Sequence, residues 1–305
     1  MAEIRAQGFD PVPIGEVVKP PFAQLPDPLA IFARRSRRLK ALADGHALRA
    51  YLLLLAELSD MQHRVQEGLP DVVPPSADAL ARSRQHRMPP LDRSRFTADA
   101  AMDGVWQRLT TMAEAVAMPD AARVALQRVK SAAAADRAAM ISAVLSHAAP
   151  VDGLAEHVFV AAALQVHFAR LAARLEAGTL VPVGDGVCPA CGGAPVSSMV
   201  VGWSGAQGAR YCACSLCGTL WNYPRVKCTL CGATKGIAYQ EIAGGLATVK
   251  AETCESCRGY VKILHQHKDP SLDPIADDVA TVALDMLLRD LGYRRGAVDP
   301  FLLGY

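Results

Sequence analysis

Apolar residues recur every three or four positions over most of the chain between Asp27 and Leu180. Such spacing predicts amphipathic helices. In "DPLAIFARRSRRLKALADG", Asp27 is placed to cap a helix and Pro28 to open it. Leu29, Phe32, Leu39 and Leu42 share a face, and Gly45 supplies a stop. A second helix is predicted from His46 to Gln66. Its stripe of Tyr51, Leu54, Leu55, Leu58, Met61 and Val65 is widened by Leu52 and Leu53, which suits a helix inside a bundle. Residues 68–95 carry Pro70, Pro74, Pro75, Pro89 and Pro90 and read as a break. Helical spacing resumes at 97–117, 120–131, 134–147 and 152–177. Residues 27–180 are therefore expected to form an all-α helical domain of about six helices. Residues 1–26 are rich in proline, lack periodicity and read as an irregular arm.

The pattern changes at "GTLVPVGDGVCPACGG". Alanine falls, glycine rises, and the short segments "VSSMVV", "IAYQEI" and "ATVKAE" read as strands between turns. A final helix is predicted from Pro274 to about Leu291, capped by Asp273, with Asp277 and Asp278 in its first turn. The fold class is α+β: a helical bundle, two tandem metal-ribbon modules at 181–226 and 227–268, and a C-terminal helix and tail at 269–305.

The modules are read from cysteine. All nine cysteines lie between Cys188 and Cys257, and eight of them form four C-x-x-C pairs. Cys188, Cys191, Cys214 and Cys217 recur at one constant offset as Cys228, Cys231, Cys254 and Cys257, with the same separation between pairs in each half. Glycine follows the first pair both times, at Gly192 and Gly232. A C-x-x-C-G knuckle turns two thiolates toward one point, and two knuckles complete a tetrahedron around zinc or mononuclear iron. Each half holds too little apolar surface to fold without such a staple. The expected ligands are Cys188, Cys191, Cys214 and Cys217 for one ion, and Cys228, Cys231, Cys254 and Cys257 for another. Cys212 reads as a small buried strand residue, the alternative being a spare thiol that exchanges with the site.

Composition narrows the function. Residues 181–268 carry eight Lys/Arg and four Asp/Glu, and eight thiolates with two divalent ions bring the region to zero net charge. A nucleic-acid binder keeps a basic face, so Trp203, Tyr211, Trp221 and Tyr223 are assigned to ribbon cores rather than to base stacking. His157 and His167 lie too far apart on one helix to share an ion and read as partly buried. His265 and His267 read as surface residues, and "RRSRRLK" reads as a solvated helix face. The sequence contains no P-loop, dinucleotide fingerprint, G-x-S-x-G or H-E-x-x-H. The longest apolar runs, "AYLLLLA" and "VFVAAALQV", fall far short of a membrane span. The start shows no secretory pattern, so the chain is expected in a reducing cytoplasm, where clustered cysteines favour metal binding or redox chemistry over structural disulfides.

The chain resembles the formate dehydrogenase accessory protein FdhE family over nearly its whole length. The stretches that carry the resemblance are "RRSRRLKALADGHALRAYLLLLAEL", "GDGVCPACGGAPVSSMVV", "CSLCGTLWNYPRVKCTLCGATKGIAY" and "VKAETCESCRGYVKILHQHKDPSLDPIADDVATVALDMLLRDLGYRRGAVDPFLL". Generic zinc ribbons do not carry the last of them. The resemblance implies rubredoxin-like modules and two metal ions, with iron favoured and zinc the alternative. It also implies a non-enzymatic cytoplasmic assembly factor that contacts the catalytic subunit of formate dehydrogenase, with no nucleic acid, no membrane insertion and a homodimer left open. One departure stands out. The family more often has another residue at Cys212, so a redox role there would be particular to this chain. A zinc-ribbon nucleic-acid binder and a rubredoxin-type electron carrier remain as alternatives from other classes.

Overall fold

The computed structural model describes residues 4–7, 19–245 and 247–302. Among them, seven α-helices run through the first part of the chain: α1 (Pro28–Leu42), α2 (Arg49–Arg64), α3 (Ala77–Gln85), α4 (Ala100–Ala113), α5 (Asp120–Ser131), α6 (Ala134–Leu145) and α7 (Leu154–Ala172). The first cap appears where sequence chemistry places it. Asp27 Oδ1 accepts from the backbone N–H groups of Leu29 and Ala30 at 3.1 and 3.2 Å. Helix α3 departs from expectation, since it lies within the proline-rich break. Its signal is Ser76, whose hydroxyl oxygen accepts from Ala79 N–H at 3.3 Å directly after Pro74 and Pro75.

Helix α7 is buried on nearly every side, from Glu156 through Ala169, and packs against α1, α2, α4, α5 and α6. It is the central helix, as its apolar circumference requires. Its one amide side chain, Gln165, links four segments. Gln165 Oε1 accepts from Gln62 of α2 at 2.9 Å and from Arg35 of α1 at 3.3 Å. Gln165 Nε2 donates to Ser215 O in the cysteine region at 2.8 Å.

The strands of the described residues form one sheet: β1 (Ile4–Gln7), β2 (Ala23–Gln24), β3 (Pro195–Val200), β4 (Arg210–Cys214), β5 (Leu220–Asn222), β6 (Ile237–Ile242), β7 (Val249–Cys254), β8 (Gly259–Leu264) and β9 (Arg294–Arg295). The order is β1-β6-β7-β8-β3-β4-β5-β2, with β9 paired to β8. The expected irregular arm at 1–26 is thus corrected in part. Strand β1 adds to β6 antiparallel, and β2 adds to β5 through Ala23–Trp221 and Gln24–Leu220. Open sheet edges recruit these segments, an interaction that proline content does not reveal. Positions 1–3 and 8–18 of the arm, and 303–305 of the tail, lie outside the described residues.

The two cysteine modules are three-stranded antiparallel units, β3-β4-β5 and β6-β7-β8. They join edge to edge where β3 runs parallel to β8, with Ser198 opposite Ile263 and Met199 opposite Leu264. Arg210 of β4 is fully buried and forms an ion pair with Glu252 of β7 at 2.9 Å, which ties the modules together. Gly186 is a second contact, because a Cβ there would lie 2.0 Å from Thr229 O.

The expected C-terminal helix is split into α8 (Ala276–Ala280) and α9 (Val282–Asp290). Asp273 does cap it, accepting from Ile275 and Ala276 N–H at 3.0 and 2.9 Å. The interruption at Thr281 has a local cause. Its hydroxyl donates back to Asp277 O, and the buried Lys262 ammonium donates to the carbonyls of Asp278 and Thr281. Beneath this turn, Lys262 and Arg295 face Asp278 and Asp285. Burial, reinforced by neighbouring Asp278, pushes the Asp299 carboxyl well above its usual range.

Candidate metal centres

Each repeat builds the same knuckle. In the first, Cys188 N–H donates to Gly193 O at 2.9 Å and Gly192 N–H donates to Cys188 O at 2.9 Å. In the second, Cys228 N–H donates to Ala233 O at 2.8 Å and Gly232 N–H to Cys228 O at 3.0 Å. Gly192 and Gly232 adopt φ of +75° and +74°, which is why glycine follows each pair. The opposite knuckles sit at the β4–β5 and β7–β8 turns. There Gly218 has φ +74°, while its repeat counterpart Arg258 holds φ +53°.

These turns bring Cys188, Cys191, Cys214 and Cys217 into one group, and Cys228, Cys231, Cys254 and Cys257 into another. Within each group the four sulfurs lie within 4.8 Å of one another. Sulfur separations of 3.6 Å (Cys188–Cys217), 3.4 Å (Cys191–Cys214), 3.9 Å (Cys228–Cys257) and 3.7 Å (Cys231–Cys254) match a tetrahedral cage. Metal–sulfur bonds of about 2.3 Å give edges of about 3.8 Å. Backbone N–H groups of Leu216 and Cys217 donate to Cys214 Sγ, and that of Leu230 to Cys228 Sγ, each at 3.4 Å.

The electrostatics fit a cation. Burial, with the neighbouring thiols, pushes the Cys188 thiol well above its usual value. Burial also opposes ionisation of Cys214, but hydrogen bonds from Cys188, Cys191 and Cys217 hold it well below. In the second group burial pushes Cys228 up to about 12. Burial opposes ionisation of Cys254 too, yet the backbone N–H groups of Cys257 and Ser256 and the neighbouring thiols together bring it down to about 7. A divalent ion at the centre would offset half the charge of four thiolates at once. Each donor set could hold one ion and suits zinc or mononuclear iron.

The two groups differ in cover. Cys188, Cys191, Cys214 and Cys217 are 0–3% exposed and belong to the main apolar core. Their knuckles are clamped by the helical body. Leu91 N–H donates to Ala190 O at 2.8 Å, Arg93 N–H to Cys191 O at 3.1 Å, and Gln165 to Ser215 O. In the second group Cys228 and Cys254 are buried, Cys257 is half-buried and Cys231 is exposed.

The family model described as "FdhE, N-terminal" matches residues 20–185, "FdhE, central domain" matches 187–225, and "FdhE, C-terminal domain" matches 226–302. A "Protein FdhE homolog" of Rhizobium meliloti is 47% identical over 298 residues, covering 97% of each chain. A homologue of Pseudomonas aeruginosa is 35% identical and covers 89% of this chain and 90% of its own. The crystal structure of the FdhE protein from Pseudomonas aeruginosa superposes with a TM-score of 0.84 at 34% identity, covering 93% of this chain and 99% of the other. This chain belongs to the FdhE family. Among its described residues, no helix is long and apolar enough to cross a membrane.

In this FdhE-family chain the other residues that the sequence singles out within the ribbons and on α7 are buried or half-buried. Cys212 is fully buried in β4, and burial pushes its thiol up to about 12, so it behaves as a small apolar residue. Tyr211, Trp221 and Tyr223 are buried, while Trp203 is half-buried against Tyr211. His157 is buried, with Nδ1 2.6 Å from Gly153 O. His167 is fully buried between Phe96 and Phe168. His265 is buried rather than at the surface, because it follows the doubly covered strand β8; His267 is half-buried.

The basic stretch on α1 is only partly solvated. Arg34 and Arg37 are exposed, but Arg35 reaches Asp273 at 3.4 Å, and Arg38 reaches Asp277 at 2.6 Å, Asp269 at 3.3 Å and Ser271 at 2.7 Å. Two of the four arginines therefore dock the helical body onto "KDPSLDPIADD". Beside this junction lies a cleft of about 840 Å³, bounded by α1, the β4–β5 turn, Trp203 and residues 270–275. Arg34 and Arg37 line it without ion pair or hydrogen bond among the described residues.

Proposed function

We propose that this chain is an accessory factor required to form active formate dehydrogenase, that it binds the enzyme's catalytic subunit, and that it turns over no substrate of its own. Family membership over nearly the whole chain, with both four-cysteine groups assembled, carries this reading. The residues proposed as metal ligands are Cys188, Cys191, Cys214 and Cys217 for one ion, and Cys228, Cys231, Cys254 and Cys257 for the other. Family resemblance favours iron, and zinc has the same donor preference. The factor acts in the cytoplasm. Residues 27–180 serve as the helical body, 181–226 and 227–268 as the metal modules, and 269–305 as the segment that latches them together.

The proposed contact surface is the cleft beside the first module, and its occupant an acidic segment of the catalytic subunit. Arg34 and Arg37 supply unpaired positive charge there, and Ile31, Leu220 and Trp203 supply apolar wall. An assembly factor has to release its client, so a partly polar contact of modest size fits the role.

The test is genetic and biochemical. Deleting the gene should abolish or sharply lower formate oxidation where the enzyme is expressed, and leave unrelated molybdoenzymes active. The purified chain should retain the catalytic subunit in a pull-down. Full formate dehydrogenase activity in the deletion strain would overturn the accessory role.

A further inference from the structure

We infer that the two centres have different chemistry. The Cys188 group is a sealed structural staple, whereas the Cys228 group is an exchange-competent site, opened at Cys231 to external thiolates and chelators. This inference rests on the metal reading above and concerns which of the chain's own sulfurs can let go.

Sequence differences inside the knuckles make the asymmetry. The first repeat spaces its cysteines with Pro189-Ala190 and Ser215-Leu216, and all four spacer residues are buried. The second uses Thr229-Leu230 and Glu255-Ser256, of which Leu230, Glu255 and Ser256 are exposed. Leu216 belongs to the main core, whereas Ser256, its counterpart, leaves the Cys254–Cys257 turn in water.

The surroundings follow the same division. At the first centre, Pro89 lies 3.1 Å from where a Gly192 Cβ would stand, and residues 91 and 93 pair with that knuckle through backbone hydrogen bonds. Opening Cys188 or Cys191 requires those bonds to break and a buried thiolate to be left without compensation, which is costly. At the second centre, among the described residues, Leu230 closes one side. Leu230 packs against Gly259 and Gly296, where a Cβ would lie 2.5 and 2.2 Å from Leu230 Cδ1. On the other side Cys231 faces solvent, next to the half-buried Cys257. Val226, 52% exposed, and Leu230, 36% exposed, stand two residues before Cys228 and one before Cys231 and leave apolar surface in water beside the knuckle in sequence.

Exchange there needs no redox partner. With an ion bound, an incoming thiolate would take the place of Cys231, whose freed sulfur would take a proton from water. One metal–sulfur bond would break, one would form, and no electron would change hands. Solvent stabilises the released sulfur of Cys231, which it cannot do for Cys191.

The experiment uses the full chain as purified, with its ions counted before anything is added. Excess chelator with a metallochromic indicator should draw off one ion at least 100-fold faster than the other. Iodoacetamide mapping between the two phases should find Cys231 and Cys257 labelled and Cys188 and Cys191 protected. Cys231→Ser should remove the fast phase and leave one slowly released ion. The mapping on the unmodified chain decides the matter even if that variant misfolds. Release of both ions in one phase, or labelling of the first group before the second, would overturn the inference alone. Isolation with fewer than two ions would overturn the metal reading beneath it.

Discussion

Arg38 engages Asp277, Asp269 and Ser271 with its guanidinium, while Arg34, one turn earlier on the same helix, faces a cleft. Asp277 is fully buried, and burial raises its carboxyl to about 6 even with Arg38 beside it. Arg38→Ala would strand that carboxyl, and breaking such a pair costs about 3–5 kcal/mol. Arg34→Ala should cost less than about 0.5 kcal/mol. Urea denaturation of both variants checks the contrast, and equal effects would contradict it. The two arginines look alike in "RRSRRLK", because local sequence shows the charge but not Asp269 and Asp277 near the other end of the chain. His167 illustrates the same limit from the opposite direction. Helical spacing marks it as partly buried, but does not show the Phe96 and Phe168 rings around it. Burial lowers its pKa below 6.5; Asp99, at 4.0 Å, opposes this and Arg170 adds to it. The folded state thus favours the neutral ring. That stability is present above about pH 6.5 and is lost as the pH falls toward the folded pKa. His167→Phe should flatten the dependence of unfolding free energy on pH below about 6.5. An unchanged slope would show that His167 does not carry it.

At the scale of elements, knuckles and helices are legible in the sequence because their signals are local. The C-x-x-C-G spacing gives the turn, and the apolar stripe gives the helix face. The parallel contact of β3 with β8, the Arg210–Glu252 pair and the recruitment of β1 and β2 to sheet edges are long-range, and no short window contains them. These contacts change what a cysteine substitution should do. Cys191→Ser disturbs a knuckle whose carbonyls pair with residues 91 and 93 of the helical body. It should lower the helical melting temperature by several degrees as well as releasing an ion. Cys231→Ser affects the exposed edge of the second module, so the helical transition should stay in place. Far-ultraviolet circular dichroism during thermal unfolding separates the two. A matched loss of helix in both variants would mean that the modules are equally coupled to the body.

For the whole molecule, the latch from α1 to residues 269–277 and the continuous sheet make one body with a basic cleft on one side of the first module. If the catalytic subunit docks there through acidic residues, Arg34→Glu together with Arg37→Glu should weaken binding at least ten-fold, and added salt should weaken wild-type binding in parallel. Both arginines are exposed, so melting temperature should be unchanged. Undiminished binding by the double variant would move the contact elsewhere on the surface. The metal chemistry of both modules depends on the eight cysteines being ligands. X-ray absorption at the metal edge, together with elemental analysis of protein purified without added metal, tests that most directly. Two ions per chain are expected, each with four sulfur neighbours at about 2.3 Å. One ion per chain, a shell containing oxygen or nitrogen, or disulfides within the C-x-x-C pairs would contradict it.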